Sequence, residues 1–210
     1  MKVVPRRARP SPYLFDGHFR AEVPMLPLAL DLSRLRVVLV GGGDALTKRL
    51  ALVDDAGAAE VLVFAPQPGD ALRAAAGERL RHGLPDAAAL AGTALVIAAG
   101  LPRADAAAVA AAAHAAGALV NVEDVVELCD VHLPALVRRG ELTIAVSTGG
   151  KSPALARRLK RHLEAAFGPE WQDRLEELAA ARLRWRAEGL SPGEISRRSD
   201  AYLDEREWLS

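Results

Sequence analysis

The chain has 210 residues, half of them apolar, and its 27 Lys and Arg are balanced by 27 Asp and Glu. That length holds one full α/β core with a smaller appendage, and the neutral balance argues against a nucleic-acid binder, whose basic face shows as net positive charge. The single cysteine, Cys129, leaves no disulfide framework or CxxC motif, and no run approaches the roughly 18 to 20 apolar residues of a membrane helix.

At the start of the chain Lys2, Arg6, Arg7 and Arg9 are interspersed with Pro5, Pro10 and Pro12, without the apolar stretch of a signal peptide. Residues 1–24 are read as a disordered basic tail and the protein as cytoplasmic. Residues 35–40 form a short, continuous, β-branched run stopped by glycine, the pattern of a strand buried on both faces. A helix is expected over 44–56 with Gly57 past its end, then a strand over 61–64 closed by Ala65 and Pro66. Strand, helix and strand at this spacing make a parallel, right-handed βαβ unit. Residues 67–92 read as irregular, with one helix near 71–79 and a short strand or turn near Leu84. A strand over 94–99, an alanine-rich helix over 105–116 and a strand over 118–122 complete a Rossmann-like, doubly wound α/β sheet. Its ligand belongs at the C-terminal edge of the strands.

After Asp124 the alternation breaks. Residues 130–137 are extended but contain Pro134, which suits an edge or crossing strand, and 141–147 pairs with them across Arg138, Arg139 and Gly140. Ser152 caps a helix with Pro153 in its first turn, running to Phe167. A second helix over 169–188 repeats Leu175, Leu178 and Leu183 along one face. Ser191 and Glu194 have the spacing of a capping box for a third.

Three places could carry chemistry. Gly41-x-Gly43, between a strand and a helix, has the context of a dinucleotide fingerprint: Gly41 for the tight turn and Gly43 for close approach of a pyrophosphate to the helix start. Leu46 stands at the third small position and would crowd the turn, and no acidic residue closes the second strand. On these residues alone the turn is open between a dinucleotide site and a glycine turn that packs a helix. Thr148-Gly149-Gly150-Lys151-Ser152 is not a phosphate loop of the Walker type, because Ala145 stands where the first glycine is needed. It is open between a site for carboxylates, with Lys151, Arg157 and Arg158 nearby, and a well-capped helix. Asp124, just past the fourth strand, is either a turn-former or a carboxylate that takes a proton at the ligand edge. The histidines show no metal-ligand spacing, and no metal site is assigned.

With Val38-Leu39-Val40-Gly41-Gly42-Gly43, Asn121-Val122-Glu123-Asp124, Leu133-Pro134-Ala135 and the long string from Ile144 to Arg157, the chain resembles the bifunctional precorrin-2 dehydrogenase/sirohydrochlorin ferrochelatase family, the N-terminal module of siroheme synthases. The resemblance implies NAD as cofactor, oxidation of precorrin-2 to sirohydrochlorin, insertion of ferrous iron as a substrate to give siroheme, and a homodimer. It implies Asp124 as the catalytic residue for both steps. Cofactor contacts would fall on Asp44 and Ala45 and on Ala65 and Pro66, beside Gly41 and Gly43. Substrate contacts would fall on Asn121, Thr148, Gly149, Gly150, Lys151 and Ser152. The expected division is a NAD-binding domain over 25–130, a dimerisation and substrate segment over 131–164 and a helical domain over 165–210, with no counterpart of the methyltransferase half of fused synthases. Where the family has Thr and Asp after the third strand, Gly100 and Leu101 stand here, and Lys48-Arg49 inverts the usual order. The alternatives are a dehydrogenase served by a separate chelatase, or a non-catalytic relative that binds tetrapyrrole or NAD.

Overall fold

The computed structural model describes residues 25–209; the tail expected over 1–24 lies outside them. Five strands form one parallel sheet in the order β3-β2-β1-β4-β5: β1 Arg36–Gly41, β2 Glu60–Ala65, β3 Leu80–His82, β4 Leu95–Ala99 and β5 Leu119–Val122. The central strand pairs Val37 with Val61 on one side and with Leu95 on the other. Because successive side chains face opposite sides of a strand, β1 feeds two cores. Val37 and Leu39 join Leu46, Leu50 and Val53 of α1 (Gly43–Asp55) and Leu72 of α2 (Asp70–Ala76). Val38 and Val40 join Leu90 of α3 (Ala87–Leu90) and Ala106, Val109 and Ala113 of α4 (Arg103–Ala115). All four of these β1 side chains are fully buried, which is why the strand carries no polar residue after Arg36. The doubly wound α/β architecture is therefore the one expected.

Departures from expectation lie where the chain is short of apolar residues. The short strand or turn read near Leu84 is a strand slightly earlier, Leu80–His82, three residues that pair with Val63, Phe64 and Ala65. The stretch read as irregular also holds α3, started by the Asp86 carboxylate accepting from the Ala89 N–H at 2.8 Å.

Beyond β5 the chain forms an antiparallel hairpin, β6 Ala135–Arg139 and β7 Leu142–Val146. Regular pairing starts at Ala135, after Pro134, so the extended stretch from residue 130 is strand only at its end. The two arginines that close β6 satisfy helix ends: Arg138 donates to the Asp55 carbonyl at 2.9 Å, and Arg139 to those of Phe167 and Glu164. Such carbonyls have no partner inside their own helix. Helix α5 (Pro153–Ala166) is capped by the Ser152 hydroxyl, which accepts from the Leu155 N–H. Helices α6 (Trp171–Ala187) and α7 (Pro192–Glu205) pack through Ala181, Trp185 and Ile195. The capping box at Ser191 and Glu194 is present in both directions. The leucine face of α6 does not build that core: Leu183 is 63% exposed, while Ala181 and Trp185 are buried. No helix among the described residues is long and apolar enough to cross a membrane.

Candidate active site

The strand order reverses between β1 and β4, and the crevice at such a switch point is where open α/β sheets bind ligand. Here the two strand ends touch. Gly41 has φ 137, and a Cβ on it would lie 1.8 Å from the Ala99 carbonyl oxygen; one on Gly100 would lie 2.4 Å from that of Gly42. The Gly42 N–H donates to Ala99 at 3.1 Å. Gly100 thus stands at a backbone crossing with no room for a hydroxyl-bearing side chain. Gly43, the first residue of α1, has φ 65, and a Cβ there would meet nothing within 4 Å. The N–H groups of Gly43, Asp44 and Ala45 belong to the first turn, whose donors have no acceptor in the helix. An open glycine face before a helix N-terminus fits a dinucleotide pyrophosphate. Leu46 does not crowd it: its side chain is fully buried in the core beneath β1. At the end of β2, Ala65 is buried and its carbonyl accepts from the Gly83 N–H, while Pro66 is exposed.

Asp124 follows β5, two strands from β1 with β4 between them. It is exposed and adopts φ 59, the left-handed region that few residues other than glycine enter and that Asp tolerates better than most. The turn is anchored on both sides. Before it, the Glu123 N–H donates to the Ala98 carbonyl, and the Glu123 carboxylate accepts from Arg49 of α1 at 3.0 Å. After it, Glu127 pairs with Arg103 at the start of α4; its own backbone N–H, and then the Arg103 guanidinium, hold this carboxyl below the usual range. Neither arginine could be picked out from sequence, since both contacts are non-local.

Asn121 is 7% exposed, and its amide donates to the Val131 carbonyl at 2.9 Å, folding the chain back over β5. Cys129 in that return segment is buried against Val122, donating to its carbonyl and accepting from its N–H, both at 3.2 Å. Burial pushes the thiol upward, so it is a packing residue and a poor nucleophile.

The second glycine turn is built from its own hydroxyls. Thr148 Oγ1 accepts from the Ser152 N–H and donates to the Ser152 carbonyl, both at 3.2 Å, and the Lys151 N–H donates to the Thr148 carbonyl. Gly149 and Gly150 take φ 60 and 80. A Cβ on Gly150 would lie 3.6 Å from Val126 Cγ2, so this turn rests on the segment just beyond Asp124. The exposed Lys151 and the start of α5 lie with it.

A family model described as "Putative NAD(P)-binding" matches residues 28–135. The chain belongs to this NAD(P)-binding family. Its sheet, both strand-end glycines and Asp124 lie within the match. A second model, the central region of sirohaem biosynthesis proteins, matches residues 139–166, which hold β7, the Thr148–Ser152 turn and α5. The siroheme synthase of Methylococcus capsulatus is 41% identical over 157 residues, covering 74% of this chain and 33% of that one. That of Pseudomonas fluorescens is 41% identical over 177 residues, 82% of this chain and 37% of that one. The chain therefore spans little more than a third of the length of the curated relatives it matches. A solved structure, SirC, precorrin-2 dehydrogenase, superposes with a TM-score of 0.68 at 24% identity over 89% of this chain and 93% of that one, which establishes the shared fold. The family resemblance read from the sequence is borne out by the two family models and by these relatives.

Proposed function

We propose that this protein oxidises precorrin-2 to sirohydrochlorin with NAD, and that the same site inserts ferrous iron to give siroheme. What supports the reading is a pair of turns at the C-terminal edge of one sheet, Gly41–Gly43 after β1 and Asp124 after β5, with the Thr148–Ser152 turn resting on Val126 just past Asp124. The first suits a pyrophosphate, the second carries an exposed carboxylate, and the third suits a carboxylate-rich substrate.

NAD, when bound, supplies the hydride acceptor. Gly43, Asp44 and Ala45 would hold its pyrophosphate through first-turn N–H groups, with Gly41 keeping the turn against β4 and Ala65 and Pro66 bordering the far end. The substrate's many carboxylates would meet Lys151, the Gly149–Gly150 backbone and the start of α5, with Asn121, Thr148 and Ser152 fixing those segments. As the macrocycle gives up a hydride it must also lose a proton, which Asp124 would accept. Chelation needs the same service, since the pyrrole N–H protons must leave as the macrocycle nitrogens take the iron.

The reading includes a cytoplasmic homodimer joined through residues 131–164. Helix α5 buries no residue and leaves Leu155 50% and Leu159 40% exposed, while the β6–β7 hairpin fully buries Val137 alone. An amphipathic helix on a thin hairpin is a face that a second subunit would cover.

The test is an absorbance assay with precorrin-2 and NAD, followed by ferrous iron. Formation of NADH with sirohydrochlorin, then siroheme, is expected, and Asp124→Ala should lose turnover while the fold is retained. Oxidation without metal insertion would make the chain a dehydrogenase alone. Failure to take up either nucleotide or tetrapyrrole would overturn the reading.

A further inference from the structure

The helix that opens with the glycine turn is tied directly to the turn that carries Asp124. Arg49 lies on α1, and its Nη2 donates to Glu123 Oε1 at 3.0 Å across 74 residues of sequence. The two side chains are only 29% and 26% exposed, so the pair is partly shielded from water and salt. Arg49 Nε is buried with no acceptor. Leaving a donor unmet is costly, and the cost falls on the side chain that holds Glu123. On the other side of the contact, Asp124 keeps a φ of 59, a conformation that persists where the surroundings over-determine it. The residue before it supplies that constraint twice, through its N–H to Ala98 and its carboxylate to Arg49.

We propose that Arg49 and Glu123 form a positioning pair that couples the cofactor helix to the Asp124 turn, so that a dinucleotide at the start of α1 is felt at the catalytic carboxylate. The proposal rests on the reading of α1 as the cofactor helix and of Asp124 as the proton acceptor. Neither Arg49 nor Glu123 touches substrate in it; both act through the backbone that presents Asp124. A rigid connection of this kind matters because a small displacement of a reacting group costs rate out of proportion to any loss of binding.

The experiment titrates NAD into the isotope-labelled full chain, following backbone amide signals, and measures steady-state oxidation of precorrin-2 in parallel. In the unmodified protein the amides of Gly43, Asp44, Ala45 and Asp124 should all move over the same NAD range. In Glu123→Gln and Arg49→Met the first three should still move, while the Asp124 response falls about threefold or more and kcat falls about tenfold with KM for precorrin-2 within about twofold. Arg49→Lys, which keeps the charge, should retain most of both. In an Asp124→Asn background, removing the pair should cause no further loss, because the residue it positions is already disabled. An Asp124 amide that responds equally in the variants, an unchanged kcat, or a full loss in the Asp124→Asn background would each overturn the proposal while leaving the functional reading in place. If NAD fails to move the Gly43–Ala45 amides of the unmodified protein, the cofactor reading falls and takes the pair with it. Should Arg49→Met not fold, Glu123→Gln decides the matter, since it removes charge and keeps shape.

Discussion

Gly41 and Gly43 look alike in sequence but are needed for different reasons. A methyl at Gly41 would collide with the Ala99 backbone at 1.8 Å, forcing apart the two strands that define the switch point. Gly41→Ala should therefore destabilise the protein by at least about 3 kcal/mol and be visible as a lower denaturation midpoint. At Gly43 there is open space, so Gly43→Ala should cost only the left-handed backbone term, about 1–2 kcal/mol, while NAD affinity drops because the methyl fills the ligand's place. Equal destabilisation by the two would refute this distinction. Cys129 gives a pH-dependent counterpart. Burial raises its folded thiol pKa above the unfolded value. Its contribution to stability is therefore complete below the unfolded pKa, about 8.5, and declines as pH rises through the folded value. A thiol reagent at pH 8 should leave the folded protein unlabelled and react on denaturation. Sequence alone identified the glycines and Asp124 as candidates through their place after strands. It could not show that Asp124 enters the left-handed region or that Glu123 finds Arg49, because nothing local fixes a contact 74 residues away.

Elements were legible where hydrophobic period and caps agreed. The buried strands β1, β2, β4 and β5 announce themselves as short apolar runs, because a parallel strand covered on both faces can carry little else. Helices α1, α5 and α7 were bracketed by Gly57, Ser152 and the Ser191–Glu194 box. That box is formed by the Ser191 hydroxyl accepting from the Glu194 N–H, with the Glu194 carboxylate returning to the Ser191 N–H at 2.9 Å. Ser191→Ala should cost about 1 kcal/mol, lowering the midpoint of thermal unfolding; no change in midpoint would mean the cap is redundant with the Trp185–Ile195 packing. Strand β3 was misplaced because Leu80-Arg81-His82 has a single apolar residue and takes its structure from pairing with β2. The leucines of α6 show a different limit. Periodicity shows that a face is apolar but not what covers it, and the helix buries Ala181 and Trp185 instead.

At the scale of the whole molecule, the parallel sheet followed from the alternation of strands and helices, and the hairpin and α5 after Asp124 from their turn and cap residues, whereas what covers the exposed face of α5 is something pattern cannot name. The proposed pairing of subunits turns on that region. Leu155→Glu with Leu159→Glu should convert a dimer to a monomer in light scattering while leaving the sheet's far-ultraviolet signature unchanged; a persistent dimer would move the interface elsewhere. The strand order has a separate consequence during synthesis. A ribosome releases β1 and β2 early, but the other edge of β1 stays unpaired until Leu95–Ala99 emerges, because its neighbour there is β4 rather than the next strand in line. For that interval the nascent chain displays a strand of uninterrupted valine and leucine with one open side, the kind of edge that recruits foreign strands. Low yield when elongation is slowed across residues 66–94, relieved by added chaperone, would be the cellular trace of a sheet that is built from its middle outward.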